Sequence, residues 1–264
     1  MNTANKHKPL LIAIAISHYC EKVRWTMDYL DIDYVEEDHA PPFHRQYTSH
    51  HGGTTVPVLV TNEQALVDSR DIMHYLDTVA VDKQLYPQDV ELRHQAETLE
   101  KLFDQKLGVA TRNWGYYYAI QKPLKIAIAW GLNAPLSEKI KCIIAVPRIP
   151  GLLRQYYNVT EASKEAALKD IKEVFTVVNQ RLNSGQQYLI GNNLSSADIT
   201  FAALASPVIR PEYHPFYDSQ LAKSPTEIVA VIEELRATPA GELVMRMYRE
   251  HRPVGANGSS PVKH

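Results

Sequence analysis

Hydrophobic and polar positions change rhythm twice along this chain. From Leu10 to Ile16 it reads LLIAIAI, a continuous apolar stretch of the kind that fills a strand covered on both faces. EKVRWTMDYLDI follows, with Val23, Met27 and Leu30 at helical spacing, and predicts an amphipathic helix. DYVEEDH alternates weakly and predicts a second strand, and PFHRQYTSH predicts a short helix or loop. VPVLV predicts a third strand and, after the turn-like TNEQ, ALVD a fourth. SRDIMHYLDTVA turns Ile72, Met73 and Leu76 to one side of a further helix. A β-α-β unit, a short helix, a hairpin and a helix fit a small mixed sheet flanked by helices.

VDKQLYPQDV breaks this pattern with charge and proline and reads as a linker over residues 81–90. Beyond it the strand signals vanish. ELRHQAETLEKLFDQKL opens a long helix, and Leu168, Ile171, Phe175, Val178 and Leu182 mark one face of another. SSADITFAALASPVI is apolar on nearly every side, which predicts a helix at a bundle centre ending near Pro207. SPTEIVAVIEELRA and PAGELVMRMYREH supply two more. The expected architecture is an α/β domain over residues 1–80, the linker, an all-α bundle over 91–252 and a flexible tail over 253–264. Lys122–Pro150, with its four prolines, is longer than a minimal bundle needs and reads as a loop without an assigned role.

The bulk numbers narrow the function. A chain of 264 residues with 45% apolar and 22% charged side chains can bury a core in one or two domains. A net charge of −2 gives no electrostatic reason to expect nucleic acid or a membrane as a partner. Two cysteines, Cys20 and Cys142, make neither a disulfide framework nor a cysteine zinc cluster, and they fit a reducing, cytoplasmic setting. The basic start and the short apolar run suggest a signal peptide, yet the run is strand-length and SHYCEKVRW follows it instead of a small-residue cleavage site. No stretch reaches the ~18 apolar residues of a membrane span.

Candidate chemistry gathers where the first strand bends into the first helix, at AISHYCEKVRW. A helix start offers unpaired N–H groups and partial positive charge, and a thiolate placed there is stabilised. Ser17 and Cys20 have the spacing of a C-x-x-C redox pair with a hydroxyl in the first, more exposed position. The same residues also fit a plain helix cap and a small buried hydrophobe. Val56-Pro57 opens the third strand, and Asp68-Ser69 opens the helix after the fourth. A carboxylate could dock at that helix start.

SHYCEKVRW, TTVPVLV, LVDSRDIMHYLD, IGNNLSSADI and RATPAGELVMRMYREH, in this order and spacing, resemble the soluble glutathione transferases over nearly the whole chain, to about residue 252. The resemblance implies a thioredoxin-like N-terminal domain followed by an all-α helical bundle, a homodimer, and glutathione as co-substrate. It implies a cis proline at Pro57, a backbone contact from Val56 to the cysteinyl part of glutathione, and Asp68 and Ser69 at its γ-glutamyl end. It maps the catalytic position to Ser17, with Cys20 second, and brings His18 and Tyr19 near glutathione. It also implies a capping box of Ser195 and Asp198, whose side chains satisfy orphan amides of a buried helix end. The departure is His18, where many relatives have proline.

The implied reaction is activation of the glutathione thiolate for attack on small, mostly apolar electrophiles. The alternatives are thiol–disulfide exchange through Cys20 and a ligand-binding protein without turnover. His44 and His51, with Arg45 and His50 beside them, are expected near the glycyl end of glutathione. Arg112, Trp114, Tyr117 and Tyr118, in TRNWGYYYAI, are the candidates for the acceptor site, because aromatics with polar tips suit an apolar substrate; packing within the bundle is their other reading. No metal is expected, since the histidines lack ligand spacing.

Overall fold

The computed structural model describes residues 8–183, 185–217, 221 and 224–252; the tail expected over 253–264 lies outside them. By internal contacts the chain divides into two compact units. The first contains residues 1–83 together with 123–148, and the second contains 84–122 and 149–252.

In the first unit, β1 (Leu10–Ala13) runs parallel to β2 (Val35–Asp38) and antiparallel to β3 (Val58–Val60), which pairs with β4 (Ala65–Leu66). The sheet order is β2-β1-β3-β4. Leu11 and Ile12 are buried as the unbroken apolar run requires, but the strand stops at Ala13 and Ile14–Ile16 form the bend. α1 (His18–Tyr29) and α3 (Ser69–Val79) pack against each other, and Val23 and Met27 of the first and Ile72 and Leu76 of the second are fully buried. α2 (His44–Ser49) is a short helix of six residues beside β1.

Residues 123–148 correct the expectation of a loop. They form α6 (Pro123–Trp130), α7 (Leu136–Ile144) and a 3₁₀ turn (Val146–Arg148), packed together within the first unit. Two of the prolines explain how helices survive there. Pro123 occupies the first position of α6 and Pro135 precedes α7, places where a missing N–H costs nothing.

The second unit is all helical. α4 (Val90–Leu102) passes through a π-turn at Phe103–Leu107 into α5 (Gly108–Ala119), and α8 (Ile149–Tyr157) leads to α9 (Glu161–Leu182). α10 (Ser196–Ile209) is central and buried on every side, touching α4, α5, α11 (Thr226–Arg236) and α12 (Pro239–Glu250). Phe201 of α10 packs its ring 5.1 Å from Phe103 and 5.4 Å from Phe175. The capping box forms: the Asp198 carboxyl accepts from Ser195 N (2.9 Å), Ser195 Oγ (2.7 Å) and Leu189 N (2.8 Å). Burial pushes this carboxyl up to about 6, against those three donors.

α10 runs past Pro207 to Ile209, two residues beyond the expected end. Proline removes the N–H that would bond Ala203 O, and Ser206 Oγ donates to that carbonyl instead, at 2.8 Å. The linker region is also anchored. Leu85 and Tyr86 are buried, Leu85 O accepts from Ser196 N (3.0 Å), and Tyr86 Oη contacts the Glu100 carboxylate at 3.0 Å.

Candidate active site

Strand direction gathers the candidate residues of the first unit. The C-terminal ends of β1, β2 and β4 and the N-terminal end of β3 all lie along one edge of the sheet, given the pairings Ile12↔Val58, Ala13↔Asp38 and Leu59↔Leu66. Ser17, Val56-Pro57, Asp68-Ser69 and the segment leading to His44 therefore emerge at the same edge. The Val56-Pro57 peptide is cis, and so is Pro41-Pro42, which the sequence did not signal.

Ser17 caps α1 with extended backbone (φ −74°, ψ 121°), and its Oγ accepts from Cys20 N at a long 3.4 Å. It is half-buried. His18 and Tyr19 begin the helix with rings 4.7 Å apart, and His18 is buried. Cys20 is fully buried, and desolvation pushes its thiol up to about 11 despite Arg24 and the Ser17 hydroxyl. A thiol so placed is inaccessible and protonated at neutral pH. Cys20 is thus placed as a small buried hydrophobe, the other reading of this position.

The bend is held by a residue that the sequence reading did not single out. Arg24 is 4% exposed. It donates through Nη1 to Ala15 O (3.0 Å) and through Nη2 to Ile14 O (3.2 Å). Its Nε donates to Glu36 Oε1 (2.7 Å), and Nη2 also reaches Asp38 Oδ1 at 3.3 Å. The planar guanidinium thus binds both loop carbonyls before Ser17 and both inward acids of β2. β2 inverts the usual pattern: Val35 is half exposed while Glu36 and Asp38 face Arg24. Burial and the neighbouring Glu36 push the Asp38 carboxyl up to about 7, against the pull of Arg24. Acids at alternate positions of a short strand were the available signal.

Asp68 caps α3, accepting from Arg70 N at 2.8 Å. The next residue, Ser69, is buried, and its Oγ accepts from Lys22 Nζ at 3.5 Å. Lys22 is itself fully buried, so the opening turns of α1 and α3 lie side by side at the candidate site.

At the end of β2, His39 stacks on Tyr47 with ring centroids 3.5 Å apart. Its Nδ1 lies 3.0 Å from Glu138 Oε1 of α7, and Ala40 N donates to Glu138 Oε2 at 2.8 Å. Asn133 Nδ2 donates to Asp38 Oδ2 at 3.1 Å. Residues 123–148 are thereby pinned to the segment that leads into α2. His44, first residue of α2, is half-buried, and desolvation brings its imidazole down to about 4; it is neutral at pH 7. His51 lies in the turn after α2, its N–H bonded to Thr48 O at 3.0 Å. Among the described residues no cluster of three or more His, Cys, Asp or Glu could hold a metal.

The expected acceptor residues belong to the second unit. Trp114 is 1% exposed and packs edge-on against Tyr118 at 5.1 Å. Tyr118 Oη donates to Glu227 at 2.6 Å, and Tyr117 Oη donates to Glu161. Lys164 pairs with both acids and lies over both tyrosine rings. Arg112 sits over the Tyr157 ring at 4.8 Å. These contacts tie α5 to α8, α9 and α11, in keeping with the packing reading of these residues.

The glutathione S-transferase N-terminal domain matches residues 11–84, and the glutathione S-transferase C-terminal domain matches residues 134–238. The chain belongs to the glutathione transferase family, whose co-substrate is glutathione. Three solved structures share its fold at low identity. β-Etherase LigF from Sphingobium sp. strain SYK-6 is 19% identical, with 90% of this chain and 99% of that chain covered and a TM-score of 0.58. Poplar glutathione transferase F1 is 14% identical, with 92% and 98% covered and a TM-score of 0.54. A glutathione S-transferase from Methylobacillus flagellatus KT, solved with glutathione bound, is 18% identical, with 94% and 100% covered and a TM-score of 0.53. No curated protein sequence matches the chain.

Proposed function

We propose that this chain is a glutathione transferase in which Ser17 activates the thiol of glutathione for attack on small, mostly apolar electrophiles. The observation that carries this reading is the helix-capping hydroxyl of Ser17, on a bend braced by Arg24, at the sheet edge shared with Val56-Pro57 and Asp68-Ser69. A free thiol has a pKa of about 8.5. A hydroxyl donating to sulfur, together with the amide groups of the α1 start, favours the anion. A shift of two units requires about 2.7 kcal/mol, within reach of two or three good polar contacts. The backbone of Val56 would hold the cysteinyl part and Asp68-Ser69 the γ-glutamyl end; His18, Tyr19, His44 and His51 are the neighbouring candidates. The protein then acts by positioning and activation, while glutathione supplies the nucleophile.

Burial of Cys20 removes the support for thiol–disulfide exchange through that residue. The acceptor is left to the class of small electrophile, and a homodimer is part of the same reading. The test compares Ser17→Ala with Cys20→Ser, using calorimetry for glutathione and an aryl halide for turnover. Ser17→Ala is expected to keep glutathione binding within a few-fold and to lose most of kcat, whereas Cys20→Ser keeps turnover. Loss of activity confined to Cys20→Ser would overturn the assignment.

A further inference from the structure

The helix α7 has its faces reversed. Its inward side carries Glu138 and Cys142, both buried, while Leu136, Ile140, Ile143 and Ile144 are 73, 52, 46 and 66% exposed. Those four stand at i, i+4, i+7 and i+8, a single stripe of an α-helix. α6, packed on α7, also exposes two aliphatics one turn apart, Leu124 and Ile128. Scattered apolar residues are ordinary on a protein surface, but a set concentrated on one helical hairpin marks an interaction site.

The charges around the stripe say what kind. Lys139 and Lys141 flank it on α7, about a quarter turn to either side, and Lys125 and Arg148 are exposed on the same segment. Glu138 is the one acidic residue between positions 123 and 148, and it is buried against His39 and Ala40. None of the four cations has a carboxylate partner among the described residues. The outer surface of this hairpin is therefore aliphatic and cationic, although the chain as a whole carries −2.

We propose that the α6–α7 hairpin docks this protein peripherally on an anionic lipid bilayer. The Leu136/Ile140/Ile143/Ile144 stripe enters the boundary between headgroups and acyl chains, and Lys125, Lys139, Lys141 and Arg148 rest on the negative headgroups. A second copy fits less well, because an isologous contact through this stripe would set Lys139 and Lys141 against their own counterparts. Nucleic acid fits less well too, since its bases stack on aromatic platforms and this stripe is aliphatic. Among the described residues no helix is long and apolar enough to cross a membrane, which agrees with attachment at the surface. The proposal reverses the expectation of no membrane partner, which rested on net charge and so averaged over this segment.

The experiment is co-sedimentation of the full-length protein with vesicles of phosphatidylcholine alone and of phosphatidylcholine mixed with phosphatidylglycerol, at low and high salt. The expected result is at least about tenfold more binding to the anionic vesicles, weakened by salt. Ile140→Asp with Ile144→Asp should abolish it, and Lys139→Glu with Lys141→Glu should remove the preference for anionic lipid. Both variants replace exposed side chains and should keep the wild-type melting temperature. If the aspartate pair melts early, the salt and lipid dependence of the wild-type chain and the lysine pair decide. Equal binding to both vesicles, or no binding to the anionic ones, overturns the proposal. So does an aspartate pair that binds vesicles normally, or that turns a dimer into a monomer in light scattering while wild-type chain ignores lipid.

Discussion

Glu138 and His39 are 99 positions apart in the chain and meet at 3.0 Å, with the backbone N–H of Ala40 on the second oxygen of the same carboxylate. All three groups are buried. One side chain of the 123–148 segment therefore fixes the path of the chain between β2 and α2.

Glu138→Ala should strip two buried donors of their acceptor, which costs on the order of 2–3 kcal/mol. Glu138→Gln keeps one carbonyl acceptor and should lose less. Urea denaturation measures the difference. Limited proteolysis should show faster cleavage within 120–150 in the alanine variant; a variant as stable and as resistant as the parent would deny Glu138 its clamping role.

Arg24→Lys keeps the charge but loses the fork that reaches Ala15 O, Ile14 O, Glu36 and Asp38 together. A stability loss of about 3 kcal/mol is expected, because two buried acids lose most of their pairing. Glutathione affinity should fall with it, since the carbonyls precede Ser17 by two and three residues. Thermal melts and calorimetry read the two effects separately. An unchanged affinity in a destabilised variant would mean that Ser17 is held without Arg24.

Cys20 should resist a disulfide reagent in the native protein from pH 7 to pH 9 and react fully once the chain is unfolded. Burial pushes its thiol up to about 11 in the fold, well above the ordinary thiol range. A raised pKa means that the fold favours the protonated form. The contribution of Cys20 to stability is whole below pH 9 and is lost as pH rises toward 11. Rapid modification of Cys20 at pH 8 would show that its burial is not maintained in solution.

Gly241→Ala runs against helix propensity. Alanine favours helix over glycine by about 1 kcal/mol, yet a Cβ at this position of α12 would lie 2.1 Å from Leu235 O and 2.7 Å from Arg236 Cα. Those are backbone atoms and cannot rotate away. A net loss of about 2–3 kcal/mol is expected, read from chemical denaturation; a stabilised variant would show that the two helix ends are free to separate.

Local pattern made the strands, α1, α3 and the buried central helix legible, because these elements record their environment in their own run of apolar and polar side chains; β2, with its acids turned inward, is the exception. The Ser17 bend, the Asp68-Ser69 helix start and the Ser195/Asp198 cap were legible for the same reason, being local signals at helix ends. What the tertiary structure decided was everything that joins distant residues. The burial of Cys20, the bracing of the bend by Arg24 and its two acids, and the pairing of Glu138 with His39 all depend on which surfaces fold against one another. So does the reading of residues 123–148. Pro123 and Pro135 looked like loop punctuation, but they stand at helix starts. The aliphatic stripe of this segment faces outward in the fold, where the buried Glu138 carboxylate occupies the inner face.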